Sequence, residues 1–173
     1  MLFTRITNAL RAPASKNKFL SKSSITSAVT VLGLGLLSQT SLAQTKVVGY
    51  IPSYTNMVAV ADRTDLTKLT HINLAFLNPN SSGAVASGTN PVCMSNPAGG
   101  NVSGADIAYV VNKAHAAGVK VLVSMAGGGI PACSGNWQTL LQPGNRATLV
   151  NNIAQFLNSL NLDGVDIDML SAA

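Results

Sequence analysis

Four short stretches of the chain are rich in apolar and β-branched residues and read as buried strands. Lys46 to Tyr54 (KVVGYIPSY) breaks into a loop at Pro52, and Thr70 to Leu77 reads THINLAFL. Lys120 to Met125 reads KVLVSM and Leu162 to Met169 reads LDGVDIDM. Two intervening stretches space their apolar residues as helices do. Asp106 to Ala117 uses Ile107, Val110, Val111 and Ala114, with Ser103 as its N-cap and Gly118 as its stop. Asn145 to Leu160 uses Leu149, Ile153, Phe156, Leu157 and Leu160, and Pro143 and Gly144 are expected just outside it. Asp65 to Leu69 reads as a short helix after the first strand. Strand and helix thus alternate, the pattern of right-handed βαβ units around a parallel sheet, so the expected class is α/β.

The connection from Asn78 to Gly104 is built mostly of Asn, Pro, Gly and Ser. Loops of that length with no secondary structure of their own tend to be functional. It leaves the C-terminal end of the second strand, and Gly127 to Pro143 leaves the same end of the third. Cys93 lies in one and Cys133 in the other, so both face one rim and a disulfide between them is expected, with a free thiol pair as the alternative.

Charge changes the picture at the N-terminus. Arg5, Arg11, Lys16, Lys18 and Lys22 precede position 44 with no acid among them, whereas beyond it six bases face six aspartates. The formal charge of +5 therefore belongs to the leader, and the rest has no electrostatic footprint for nucleic acid. Ile25 to Leu37 is apolar, and Ser41-Leu42-Ala43 has the small-x-small pattern of a cleavage site. Thirteen residues at helical rise reach about 20 Å, short of the roughly 30 Å hydrocarbon core. Residues 1–43 are thus expected to be a cleaved signal peptide, ahead of an uncleaved anchor or a transit peptide. The product from Gln44 onward would be secreted or periplasmic, with no membrane attachment after cleavage.

The chemistry gathers on the last strand. A period of two puts Asp166, Asp168 and Leu170 on one face, each about 6.6 Å from the next. Carboxylates that close cannot both ionise freely in a poorly solvated site. Acids alternating with apolar residues in a buried strand are costly without a role, which disfavours reading them as loop caps.

Asp163-x-x-Asp166-x-Asp168, together with Lys120-Val121-Leu122-Val123-Ser124 and its following glycines, Ile72-Asn73-Leu74-Ala75-Phe76 and Val48-Gly49-Tyr50, closely resembles the first four strands of family 18 glycoside hydrolases, the chitinase-like enzymes. The resemblance covers nearly all of the chain from Gln44 on. It implies a partial (β/α)8 TIM barrel of about four βα units, with 44–173 as the N-terminal half of the catalytic barrel. It also implies substrate-assisted, retaining hydrolysis of β-1,4-linked N-acetylglucosamine, in which the sugar's acetamido oxygen attacks the anomeric carbon and a motif glutamate protonates the leaving oxygen. On this resemblance Asp168 orients the acetamido group and shares a proton with Asp166, and Asp163 is structural. Tyr50 and Phe76 line the subsite floor, a cis peptide falls at Ala75-Phe76, and Gly127 and Gly128 allow close approach of substrate. Trp137 is a further candidate for stacking on a sugar ring, with packing as the competing role.

The departures are as informative. Leu170 stands where the motif has its glutamate, and the 173 residues contain no glutamate at all. Loss of general acid help alone costs about 10²–10⁴-fold. Ala126 replaces the first glycine of the third-strand motif. A complete barrel takes about 250 residues, so the chain is expected to be an inactive copy truncated at the motif, through an altered reading frame or a truncated sequence. Translation of the downstream DNA in all three frames tests this. Open parallel edges would favour non-specific self-association.

Two other readings stand beside it: a chitin- or carbohydrate-binding pseudoenzyme, and a small metal-dependent α/β protein using Asp166-Ile167-Asp168. With two cysteines, His71 and His115, no zinc spacing exists, and Gly127-Gly128-Gly129 lacks a phosphate-loop pattern, so neither a metal nor a cofactor is expected. His71 is expected to satisfy the start of its strand and His115 to be solvated. Chitin or chito-oligosaccharide is the expected partner.

Overall fold

The computed structural model describes residues 45–169. The expected signal peptide, 1–43, and Leu170 lie outside the described residues.

The elements run β1 (Val48–Pro52), α1 (Met57–Arg63), a 3-10 turn (Leu66–Lys68), β2 (His71–Leu77), β3 (Ala86–Ser87), β4 (Asn90–Pro91), α2 (Gly104–Ala116), β5 (Lys120–Ala126), α3 (Trp137–Leu140), α4 (Pro143–Ser159) and β6 (Gly164–Asp168). The four long strands form one parallel sheet in the order β1-β2-β5-β6. Each strand lies beside its predecessor in the sheet, as in a closing barrel; a doubly wound sheet would reverse its order partway. The architecture is that of a partial (β/α)8 barrel.

Alternation along the strands decides the layers. Ile72 and Leu74 of β2 and Val121 and Val123 of β5 are fully buried, in one cluster with Ile107, Val110, Val111 and Ala114 of α2 and with Leu149 and Phe156 of α4. This is the helix-covered face, and truncating any of its large members to alanine costs about 2–5 kcal/mol. The other face is exposed at its edge, where Val48 and Tyr50 of β1 are about half exposed, whereas Asn73, Ala75 and Ser124 in the middle strands are buried. Ile167 of the outer strand β6 is 54% exposed, whereas Val165 of the same strand packs against the cluster. No helix among those residues is long and apolar enough to cross a membrane.

Local chemistry explains the helix boundaries. Ser103 Oγ accepts from the Asp106 N–H at 3.0 Å and caps α2, which ends before Gly118 at φ +73°. Pro143 and Gly144, expected outside the second long helix, instead lie in its first turn. A proline there gives up an N–H that has no partner within the helix. The expected helix at Asp65–Leu69 is the shorter turn Leu66–Lys68, capped by Asp65. A full helix, α1, precedes it, capped by Asn56 through the Ala59 N–H.

The Asn78–Gly104 excursion is packed and carries structure of its own, contrary to expectation. It contains the β3–β4 ribbon and a bridge between Ser95 and Asn101, and it buries Val85, Cys93, Met94 and Val102. Asparagines organise it: Asn80 Oδ1 accepts from the Ser82 N–H, the Ser82 hydroxyl and the Ala84 N–H.

Candidate active site

The strand register sets Pro52, Ala75, Ser124 and Asp166 side by side across the four strands. Ser124 is fully buried on β5, and its hydroxyl donates to Asp166 Oδ2 at 2.7 Å. From β1, the Tyr50 hydroxyl donates to the same oxygen at 3.1 Å. One carboxylate oxygen is therefore held by donors from two different strands, which fixes its direction before any ligand arrives. Asp168 follows two residues later on the same face, in register with Ala126, and its backbone carbonyl accepts from the Gly127 N–H at 2.9 Å.

Asp163 plays a different part. Its Oδ2 accepts from the Val121 N–H at 2.8 Å and lies 2.7 Å from His115 Nε2, at the start of β6 and away from the rim loops. Burial pushes this carboxyl up, but the Val121 N–H and the His115 side chain together outweigh it and hold it below the ordinary carboxylate range. His115, expected to be solvated, is thus paired. Asn161 Nδ2 lies 3.4 Å from His115 Nδ1, and an Nε2–H tautomer satisfies both contacts. His71 Nδ1 is 2.8 Å from the Thr70 hydroxyl at the start of β2.

Phe76 follows a cis peptide at Ala75–Phe76. Its ring lies against Gly127, where an added Cβ would come within 2.8 Å of the ring carbons, and Gly127 itself has φ +85°. Only glycine suits both the backbone and the contact. Ala126 also has a positive φ, +74°, without being glycine. The replacement at this position therefore puts a methyl on a left-handed backbone.

At the C-terminal rim a groove of about 860 Å³ is lined by Gly127, Gly128, Ile130, Trp137, Leu141 and Met169. It brings together Gly127, Gly128 and Trp137, whereas Tyr50 sits with Asp166 and Phe76 against Gly127. The loops above it are joined by a Cys93–Cys133 disulfide. Among the described residues no cluster of three or more His, Cys or Asp side chains could hold a metal ion.

Two residues of this site escaped the sequence reading. Ser124 is a buried hydroxyl in an apolar strand, a placement that calls for a partner. Asn78 is a buried amide where β2 enters a polar loop, and nothing in the loop's composition sets it apart from its neighbours.

Residues 46–171 match the sequence profile of the glycosyl hydrolases family 18. Among solved structures the chain is similar to the GH18 chitinase ChiB from the chitin utilization locus of Flavobacterium johnsoniae, at 29% identity and a TM-score of 0.58, over 73% of this chain and 37% of that one. It is similar to a chitinase from Bacteroides thetaiotaomicron at 26% identity and a TM-score of 0.55, over 74% of this chain and 36% of that one. Similarity to the cell-surface-expressed, multi-modular chitinase ChiW from Paenibacillus sp. str. FPU-7 is 28% at a TM-score of 0.51, over 72% of this chain and 15% of that one. The chain spans well under half the length of each. No curated protein matches the sequence.

Proposed function

The chain belongs to the glycosyl hydrolases family 18, and from that premise we propose that it is the aspartate-bearing half of a chitinase-like barrel, one that holds β-1,4-linked N-acetylglucosamine without cleaving it. The observation that carries this reading is the pair Asp166 and Asp168 on one strand face, with Asp166 already gripped by Tyr50 and Ser124. In substrate-assisted hydrolysis the acetamido oxygen is the nucleophile. Asp168 orients that group and Asp166 supports Asp168. The step that follows needs a proton on the leaving oxygen, and Leu170 has none to give. Without it the acid contribution of about 10²–10⁴ in rate is lost.

Export fits the same reading. Residues 1–43 act as the signal peptide, and the Cys93–Cys133 disulfide suits a secreted or periplasmic product. Among the described residues β1 and β6 are the outer strands of the sheet, and unpaired strand edges favour self-association.

The test is incubation of the purified chain with the tetramer of N-acetylglucosamine, following both reducing ends and heat of binding. Saturable binding with no release of reducing ends above buffer is expected. Cleavage well above buffer, or no binding at millimolar tetramer, overturns the proposal.

A further inference from the structure

We infer that Asn78 is a positioning residue of the rim groove: its buried amide fixes the plane of Trp137, whose ring then serves as a stacking wall for a sugar. This rests on the reading of the chain as a chito-oligosaccharide binder and adds one residue to that site.

Asn78 is the first residue after β2 and is 1% exposed. Its Nδ2 donates to the Ala126 carbonyl at 3.3 Å, at the end of β5. Its Oδ1 accepts from Trp137 Nε1–H at 3.0 Å and from the Ser134 hydroxyl at 3.4 Å. Its backbone N–H donates at 2.8 Å to the carbonyl of Cys93, the residue that carries one half of the disulfide. One buried amide therefore ties together the ends of two strands and the loop that carries Trp137. An amide with both ends committed in a dry setting cannot turn without leaving a polar atom unpaired.

The consequence falls on the indole, whose only polar atom is Nε1. With that atom given to Asn78, what Trp137 offers the groove is ring surface, beside Ile130, Leu141 and Met169. Such a wall suits the C–H face of a pyranose, with no sugar hydroxyl competing for the N–H. Trp137 is half-buried and packs against the hydrophobic cluster, and the hydrogen bond to Asn78 adds a directional restraint on its ring.

Trp137 is the only tryptophan of the chain, so its fluorescence reports this contact alone. The experiment titrates the tetramer of N-acetylglucosamine into the full chain and into Asn78→Ala, Trp137→Phe and the double variant, with affinity from calorimetry and emission recorded throughout. Asn78→Ala is expected to shift Trp137 emission to the red and weaken binding about tenfold, the size of one aromatic contact. In the Trp137→Phe background the same substitution is expected to change affinity by less than about twofold, because coupled residues do not add. Equal weakening by Asn78→Ala in both backgrounds assigns Asn78 a merely structural role and overturns the inference. A red shift in Asn78→Ala with no sugar binding by the wild-type chain overturns the binding reading and the stacking role with it. Unchanged emission with wild-type binding intact overturns the inference alone.

Discussion

His115 Nε2 lies 2.7 Å from Asp163 Oδ2, and through this contact helix α2 is pinned to the strand that carries the aspartate row. Asp163 thereby separates from Asp166 and Asp168: it faces a helix and a backbone N–H, and they face the open side of the sheet.

That pairing predicts a defined pH response. The carboxyl of folded Asp163 sits below its ordinary range, so its stabilisation is complete above the unfolded value and disappears as pH falls through the folded one. Asp163→Asn is expected to lower stability at pH 7 by about 1.5–3 kcal/mol, the worth of hydrogen bonds to a charged group. The gap between wild type and variant should narrow from about pH 4 downward, where the carboxyl of the unfolded chain takes up its proton while the folded one still keeps its charge. Urea unfolding of both proteins across this range checks it, and a gap that is constant with pH contradicts it.

Ala126 and Gly127 make opposite predictions one residue apart. Ala126→Gly removes a methyl from a backbone at φ +74° and is expected to stabilise by about 1 kcal/mol. Gly127→Ala drives a methyl into the Phe76 ring at φ +85° and is expected to destabilise by more than about 2 kcal/mol. Thermal unfolding of the two variants reads both signs.

The two donors to Asp166 differ in burial, and so should the cost of removing them. Ser124→Ala deletes a hydroxyl that is fully buried and is expected to cost about 1–2 kcal/mol. Tyr50→Phe deletes one on a side chain that is half exposed, where water replaces the bond, and is expected to cost less than about 0.5 kcal/mol. Guanidinium unfolding of both variants is the measurement.

Leu170→Glu restores a carboxyl two residues beyond Asp168. If the acid is what hydrolysis lacks, release of reducing ends from the N-acetylglucosamine tetramer should rise by about 10²–10⁴ over the unsubstituted chain. No rise at unchanged sugar affinity would place the deficit elsewhere in the cleft.

Much of this was legible from residue order. Ile72, Leu74, Val121 and Val123 announce buried parallel strands because both faces are covered, and the run of β-branched residues leaves no alternation to confuse with a helix. The aspartate row was equally readable, since a period of two needs no tertiary information. What escaped depends on partners far away in sequence. Met57–Arg63 is helical because Asn56 caps it and Met57 and Ala61 find a core, a contact its seven residues do not advertise. The pairing of His115 with Asp163 spans 48 positions and exists only because the last turn of α2 meets the turn that leads into β6. Asn78 is one asparagine among several in its loop until the fold closes over it.

In the main sheet β2, β5 and β6 are each hydrogen-bonded to the strand of that sheet that precedes them in the chain. The connections that each pairing must close are long: β2 and β5 are separated by the β3–β4 ribbon and α2, and β5 and β6 by α3 and α4. Parallel pairing across such connections is non-local, so each strand must close a long loop before its pairing contributes, and assembly of the sheet is intrinsically slow.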